Sequence, residues 1–420
     1  MERSNTTNIG EIFLLYSSHC LLPATLLITT SKRSALRYLY IPCSIWILHR
    51  AIQLASALGP GFIWCEFARL FVTVFFQALN ILFFNPRDGS DIPSSGGRVL
   101  SLYYVAKILT QPRGINTSWE SKNAPSQPTY YGERTPSKTR FLIRQVAIST
   151  WQYLALDLFS TLAVEQAKLK QINHESMPLN IQWYLPVDQW IERIVSNIVA
   201  GFVVSRILID FHHRAFSVFT VGLGFESPSD SPPLFGRAVD AYTLRGFWGK
   251  FWHQLIRQPL TSMSVFITRV IGLPRGSLLN RYSNVIIIFM LSGLMHIAID
   301  TVQGIPSQES GAFLFFTSAP MGIMIEDGIT GLWKSLCPRV ETKSTQQSVH
   351  LWQRALGFCW VGAWLGITST LYLYPQMRRP ENSALVPFSF AEYVGLPLGG
   401  FAGFVGIIGL VVAWLLKAEI

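Results

Sequence analysis

A histidine followed four residues later by an aspartate, inside an apolar run, is the first place where this sequence could do chemistry. The run reads Leu291-Ser292-Gly293-Leu294-Met295-His296-Ile297-Ala298-Ile299-Asp300. At helical spacing His296 and Asp300 share a face, and Ser292 lies on that face one turn earlier. A neutral imidazole there could act as a general base, with Asp300 holding it in one tautomer. Gly293 allows close approach of a substrate or of a neighbouring helix. An ionisable residue at bilayer depth is costly and normally faces a bundle interior or a wet cavity. A histidine bonded across helices for packing alone is the competing reading, and spacing leaves both open.

Two further clusters could bind or react. In Phe247-Trp248-Gly249-Lys250-Phe251-Trp252-His253-Gln254-Leu255-Ile256-Arg257 the aromatics recur at i, i+1, i+4 and i+5. That is one face of a helix, expected to lie in the membrane interface with Lys250 and Arg257 toward water. A plain interfacial anchor would look the same. In Gln111-Pro112-Arg113-Gly114-Ile115-Asn116-Thr117-Ser118-Trp119-Glu120-Ser121-Lys122-Asn123, a charge, a Trp and polar groups converge beside the membrane and would suit a polar head group. A turn followed by a helix start explains that run equally well. Arg206 with Asp210, and Glu66 with Arg69, are spaced to neutralise each other on one helix. Asp157, Glu326 and Asp327 complete the set, and a polar-lined cavity through the bundle would fit them.

The elements that must position these residues are membrane helices. Half of the 420 residues are hydrophobic and only 14% are charged, with a mean hydropathy of +0.32. A soluble chain of this size needs more charge to cover its surface. The apolar residues fall into nine blocks long enough to cross a bilayer, at roughly 11–29, 38–58, 62–85, 146–166, 191–213, 284–303, 312–333, 353–374 and 394–416. Lipid offers no partner to a free amide or carbonyl, so the spans are expected to be helical. The expected fold is therefore all-α, a polytopic membrane protein of about eight to nine transmembrane helices around an intramembrane cavity. The first block lacks a basic start and a small-residue cleavage site, so it is expected to stay as a helix.

The net charge of +10 reflects topology rather than nucleic acid. With the N-terminus in the lumen, the 34 Lys and Arg divide into 25 cytoplasmic, five lumenal and four within spans. That is the positive-inside asymmetry, with some attraction to anionic lipid. The Asn5-Thr6-Thr7 sequon is consistent with this orientation. The five cysteines show no metal-like spacing, and no metal is expected. No internal repeat supports an inverted-repeat transporter. A single domain over 1–420 is expected, with cytoplasmic or interfacial loops at 86–145 and 214–283.

Taken together, the motifs resemble the wax-synthase-like branch of the membrane-bound O-acyltransferase family, MBOAT. They are most similar to its fungal acetyltransferases of terpenoid and meroterpenoid metabolites. The residues that carry the resemblance are Arg113-Gly114-Ile115 with Trp119-Glu120 and Lys122-Asn123, then Tyr153-Leu154-Ala155-Leu156-Asp157, then Pro232-Pro233-Leu234-Phe235-Gly236. Phe247-Trp248 through Trp252-His253, Ser292-Gly293 with His296, and Glu326-Asp327 follow in order. The resemblance implies that His296 is the catalytic histidine. It also implies that Trp252-His253 is a second signature, where relatives outside this branch carry Asn. Ser231 departs from the pattern, which has a Trp there.

The resemblance further implies an endoplasmic-reticulum enzyme that moves an acyl group from acyl-CoA, acetyl-CoA above all, to a hydrophobic alcohol. No prosthetic group is expected. His296, His253 and Asp300 are the expected catalytic residues. Trp248, Trp252, Ser292, Gly293, Arg113, Trp119, Glu120, Asp157 and Glu326 are expected to bind substrate. A wax synthase using a long-chain acyl-CoA is the nearest alternative. A transporter or a non-catalytic scaffold would be a different class altogether.

Overall fold

The computed structural model describes residues 2–57, 62–91, 97–117, 119–127, 136–169, 181–336, 350–378, 385–395 and 397–415, and among them every regular element is helical. In chain order these are α1 (Glu2–Thr29), α2 (Tyr40–Ala57), α3 (Phe62–Leu79), α4 (Gly97–Thr110), α5 (Lys138–Leu169), α6 (Val187–Ile198) and α7 (Ser205–Gly222). The single turn α8 (Leu244–Gly246) follows, then α9 (Arg257–Val270), α10 (Leu278–Val302), α11 (Ala312–Leu336), α12 (Leu351–Thr368), α13 (Thr370–Met377), α14 (Phe390–Val394) and α15 (Leu398–Leu415). All nine apolar blocks fall on these helices. Among the described residues, four stretches are long and apolar enough to cross a bilayer: Ile9–Thr29, Val187–Gly222, Leu278–Val302 and Ala312–Leu336. A fifth is formed if α12 and α13, bent by 44° at Ser369, count as one. The chain is thus an integral membrane protein.

Wider π-helical turns interrupt the ladder at Asn80–Phe84, at Val199–Val204 between α6 and α7, and at Phe247–Phe251 after α8. Such turns cost regular hydrogen bonds and are frequent at functional sites. Two of the three meet, because Phe202 of the second packs edge-on against Phe247 and Trp252 of the third, with centroids 5.5 Å apart in both pairs.

α10 is the hub, packed on α11, α9, α3 and α2. Its start is fixed by Ser277, whose hydroxyl accepts from the Asn280 amide at 3.1 Å. Gly293 is where α10 crosses α11: a Cβ there would lie 3.0 Å from the Phe313 Cα. The glycine therefore serves helix approach. Polar side chains tie other spans, as where Asn197 donates to the Gly366 carbonyl at 2.8 Å and to the Thr370 hydroxyl at 3.0 Å across the α12–α13 bend. In membranes such interhelical bonds are worth about 0.6 kcal/mol each on average. α5, α7, α14 and α15 pack as a second group.

The aromatic run 247–252 is not an amphipathic helix lying in the interface. Its side chains sit with Leu244, Phe315, Phe316, Val361 and Leu365 in a buried core shared by α11 and α12. Arg257 does not point to water either; it donates back to the Gly249 carbonyl at 2.6 Å and to Gln254 at 2.7 Å. Burial of four rings outweighs interfacial anchoring once α11 and α12 offer an apolar seat.

Candidate active site

His296 lies about three-quarters of the way along α10, and its partner is not Asp300. Nδ1 sits 2.7 Å from the Ser292 carbonyl oxygen, one turn earlier. Helical side chains lean toward the N-terminal turn, which brings that carbonyl within reach. A carbonyl only accepts, so Nδ1 carries the proton and the Nε2 lone pair of the neutral ring is left to act on a substrate. Asp300 is fully buried but engaged elsewhere: one oxygen accepts from Ser310 at 2.6 Å and the other from Gln376 at 3.3 Å. It joins α10 to the start of α11 and to α13.

Rings enclose the imidazole. Phe316 stacks on it at 4.1 Å, and Tyr372 stands edge-on at 5.8 Å. Trp248 reaches Phe315 and Phe316 at 6.3 and 6.2 Å and meets Phe247 edge-on, and Phe247 in turn stacks on Trp252. One aromatic lattice therefore links the second signature to His296. His253 closes it, edge-on to Phe235 at 5.8 Å and beside Trp252 at 5.6 Å. Burial holds the His253 imidazole at about 3, and His296, Arg69 and Arg113 push the same way. It is neutral at physiological pH, and its buried Nδ1 has no hydrogen-bond partner.

The remaining expected site residues hold this loop in place. Arg113 is buried and donates to the Pro233 carbonyl at 2.8 Å and the Pro232 carbonyl at 3.0 Å. Burial lowers its pKa to about 10, with Glu120, Glu226 and Asp210 opposing, so it stays protonated. Glu120 accepts from the Asn116 amide at 2.9 Å, and the Arg87 guanidinium lies 4.1 Å over the Trp119 ring. Asn123 donates to the Gly249 carbonyl at 2.9 Å, and Lys107 pairs with Asp230 at 3.0 Å. The two long loops thus dock on each other. Gly236 is required where they close: its amide donates to the Phe251 carbonyl at 2.9 Å, and a Cβ would run into the Lys250 carbonyl. Ser231, at the departure from the family pattern, is buried and donates to Glu226 at 3.1 Å.

Glu326 accepts from the Leu244 amide at 2.6 Å, and Asp327 binds Arg245 at 2.6 Å and Arg281 and Tyr282 at 3.0 Å. The Glu-Asp pair therefore clamps the second signature loop to α11. Asp157 is also buried and accepts from the Ala391 amide at 2.9 Å, capping α14. The expected pair of Glu66 with Arg69 falls partly outside the described side chains, and Ser118 lies outside the described residues.

A cavity of about 1200 Å³ opens beside this lattice, between α5, α7, α15 and the 231–251 loop. Phe235, Phe247 and Phe251 form one wall. His296 and His253 are not part of its lining. Its charged lining is Arg144, Arg206, Arg214, Arg237 and Lys250 together with Asp210 and Asp240. Arg206 does not pair with Asp210. That carboxylate is held by Arg214 and Gln152, both at 2.7 Å, the favoured acid-before-base order at i, i+4. Arg206 lies over the rings of Phe235 at 5.2 Å and Phe251 at 5.9 Å, its Nε without a hydrogen bond.

Residues 231–318, which hold both histidines and most of the ring lattice, match the membrane bound O-acyl transferase family. Acetyltransferase atnC of Arthrinium sp is 35% identical over 96% of both chains. Acetyltransferase pyr8 of Aspergillus fumigatus is 35% identical over 99% of both, and acetyltransferase TRI7 of Fusarium sporotrichioides is 33% identical over 83% of this chain and 82% of its own. The chain belongs to the membrane-bound O-acyltransferase family. It is an acyltransferase. No solved structure matches it.

In this acyltransferase Arg206 was read from the sequence as a structural partner of Asp210, and Phe316 and Tyr372 were not singled out. Arg206 could have been found from the competing i, i+4 partner at Arg214. Nothing in the spacing of Phe316 or Tyr372 marks them, since they meet His296 only through tertiary packing. The Arg113 clamp has a direct test. Arg113→Met leaves the Pro233 carbonyl without its donor, at about 1–3 kcal/mol for a buried group, while the Pro232 carbonyl keeps its bond from His213 Nε2 at 3.1 Å. Thermal unfolding of the detergent-extracted enzyme is expected to move down by several degrees, and an unchanged midpoint would show that the clamp does not matter.

Proposed function

We propose that the enzyme transfers the acetyl group of acetyl-CoA to a hydroxyl of a hydrophobic, terpenoid-like alcohol, with His296 as general base. The observation that carries this reading is the placement of His296 Nδ1 against the Ser292 carbonyl, 2.7 Å away, which leaves Nε2 as the acceptor. An alcohol is a weak nucleophile at neutral pH, so a base must take its proton as the oxygen attacks the thioester carbonyl. Nε2 takes that proton, the tetrahedral adduct collapses to the ester, and the departing CoA thiolate takes the proton back. The neutral His253 has an unpartnered Nδ1 in the same neighbourhood and can donate toward the adduct's oxygen if that nitrogen carries the hydrogen. The ring lattice keeps hydrolytic water from the thioester.

The cationic side of the large cavity suits the 3′-phosphate and pyrophosphate of CoA, with Arg206, Arg237 and Lys250 as the groups that would hold them. The acceptor enters from the bilayer. The similar proteins named acetyltransferases support an acetyl donor. The same reading puts eight or nine helices across the endoplasmic reticulum membrane around an intramembrane cavity. It places the N-terminus in the lumen and the basic loops on the CoA side, as the Lys and Arg asymmetry supports.

Microsomes containing the enzyme, given radiolabelled acetyl-CoA or palmitoyl-CoA with a panel of terpenoid and fatty alcohols, test the proposal. Label is expected in a terpenoid ester from acetyl-CoA, and Asn5 is expected to carry an endoglycosidase-sensitive glycan. Label only from palmitoyl-CoA in fatty-alcohol esters would make the enzyme a wax synthase, and absence of a glycan would count against the lumenal N-terminus.

A further inference from the structure

Rings pack directly on His296 and against one another. Phe316 covers one face of the imidazole at 4.1 Å, nearly parallel at 28°. Tyr372 stands against the imidazole at 89°, and is itself stacked on Phe315 at 5.7 Å. Phe315 and Phe316 touch at 4.9 Å and are both buried, and Trp248 reaches both of them from the signature loop. These rings come from α11, α13 and the loop after α8, three elements that do not move independently once packed.

We propose that Phe316, backed by Tyr372, sets the length of the acyl group by filling the space a longer chain would occupy. This rests on the acetyl-transfer reading above and deepens it. The acyl carbonyl must come within reach of an alcohol oxygen that is hydrogen-bonded to His296 Nε2. Its methyl then lies among the rings beside the imidazole. A butyryl group carries two more methylenes into the same place, and a close-packed interior admits them only if a ring moves aside. Phe316 is the ring that can be removed with least disturbance to the catalytic group, because His296 keeps its Ser292 carbonyl whatever stands opposite its face.

The test is the ratio of kcat/KM for butyryl-CoA to that for acetyl-CoA, measured on one membrane preparation so that the amount of folded enzyme cancels. One methylene in a hydrophobic site changes kcat/KM by about 10–200-fold, so Phe316→Ala is expected to raise the ratio at least tenfold over wild type. Phe316→Leu, which keeps more of the volume, is expected to raise it less. A wild type that transfers acetyl while both variants keep its donor ratio would overturn this inference and leave the acetyl-transfer reading intact. A wild type that prefers long-chain donors would overturn both. Inactivity of both variants with every donor would overturn it too, by making Phe316 a support of His296 rather than a gauge of donor length.

Discussion

Replacing His296 with alanine is expected to lower kcat for acetyl transfer by about 10²–10⁴-fold, the usual contribution of a positioned general base. The loss should fall on kcat, with KM for acetyl-CoA little changed, because the cationic cavity that suits the donor does not include His296. His296→Gln is the sharper variant, since it keeps a polar group of similar length inside the rings of Phe316 and Tyr372 but cannot accept and return a proton. It should be as inactive as alanine while expressing at wild-type level. Asp300→Asn is the contrast: Asp300 is spent on Ser310 and Gln376, so its loss should reduce the amount of folded enzyme more than its turnover. Wild-type kcat in His296→Gln would remove His296 from the chemistry. A loss in Asp300→Asn confined to kcat would instead restore the imidazole–aspartate pair that helical spacing suggested.

That contrast shows where the sequence was legible. His296 stood out because an ionisable group within an apolar block has few structural reasons to be there. Its hydrogen-bond partner did not, because a helix offers a backbone carbonyl at every i−4 position and no side-chain pattern reports which one is used. The all-helical architecture was legible from block length, since lipid leaves the backbone no other choice. The 247–252 run was misread for a specific reason. Aromatics at i, i+1, i+4 and i+5 describe an α-helical face, whereas the chain makes a five-residue π turn from Phe247 to Phe251 and then extends at Trp252. That geometry turns the rings inward around Phe202, a contact across some fifty residues of sequence. The anchoring roles of Arg113, Glu326 and Asp157 were hidden likewise. Each binds backbone amides or carbonyls of a distant segment, and backbone groups leave no trace in residue identity.

Arg206→Gln is expected to raise KM for acetyl-CoA by about 10–100-fold with a smaller change in kcat, from the loss of charge-assisted bonds worth about 1.5–3 kcal/mol. The reasoning starts from an imbalance. Arg206 sits in a membrane-spanning stretch, where an unbalanced cation is costly, yet the carboxylate one turn away is held by Arg214. The rings of Phe235 and Phe251 compensate in part through cation–π attraction. They also aim the guanidinium along the wall of the 1200 Å³ cavity, beside Arg237 and Lys250. Asp210 and Asp240 line the same cavity, but Asp210 is already held by Arg214, and an anion of the size of a phosphate, such as CoA supplies, would balance Arg206. Arg206→Lys separates charge from shape: it keeps the positive charge but loses the planar fork that bonds two phosphate oxygens at once, so it should recover only part of the affinity. If Arg206→Gln leaves KM for acetyl-CoA at the wild-type value, the cavity is not the donor's phosphate site. A raised KM for the alcohol alone would assign the cavity to the acceptor, and the donor would have to approach His296 from another side.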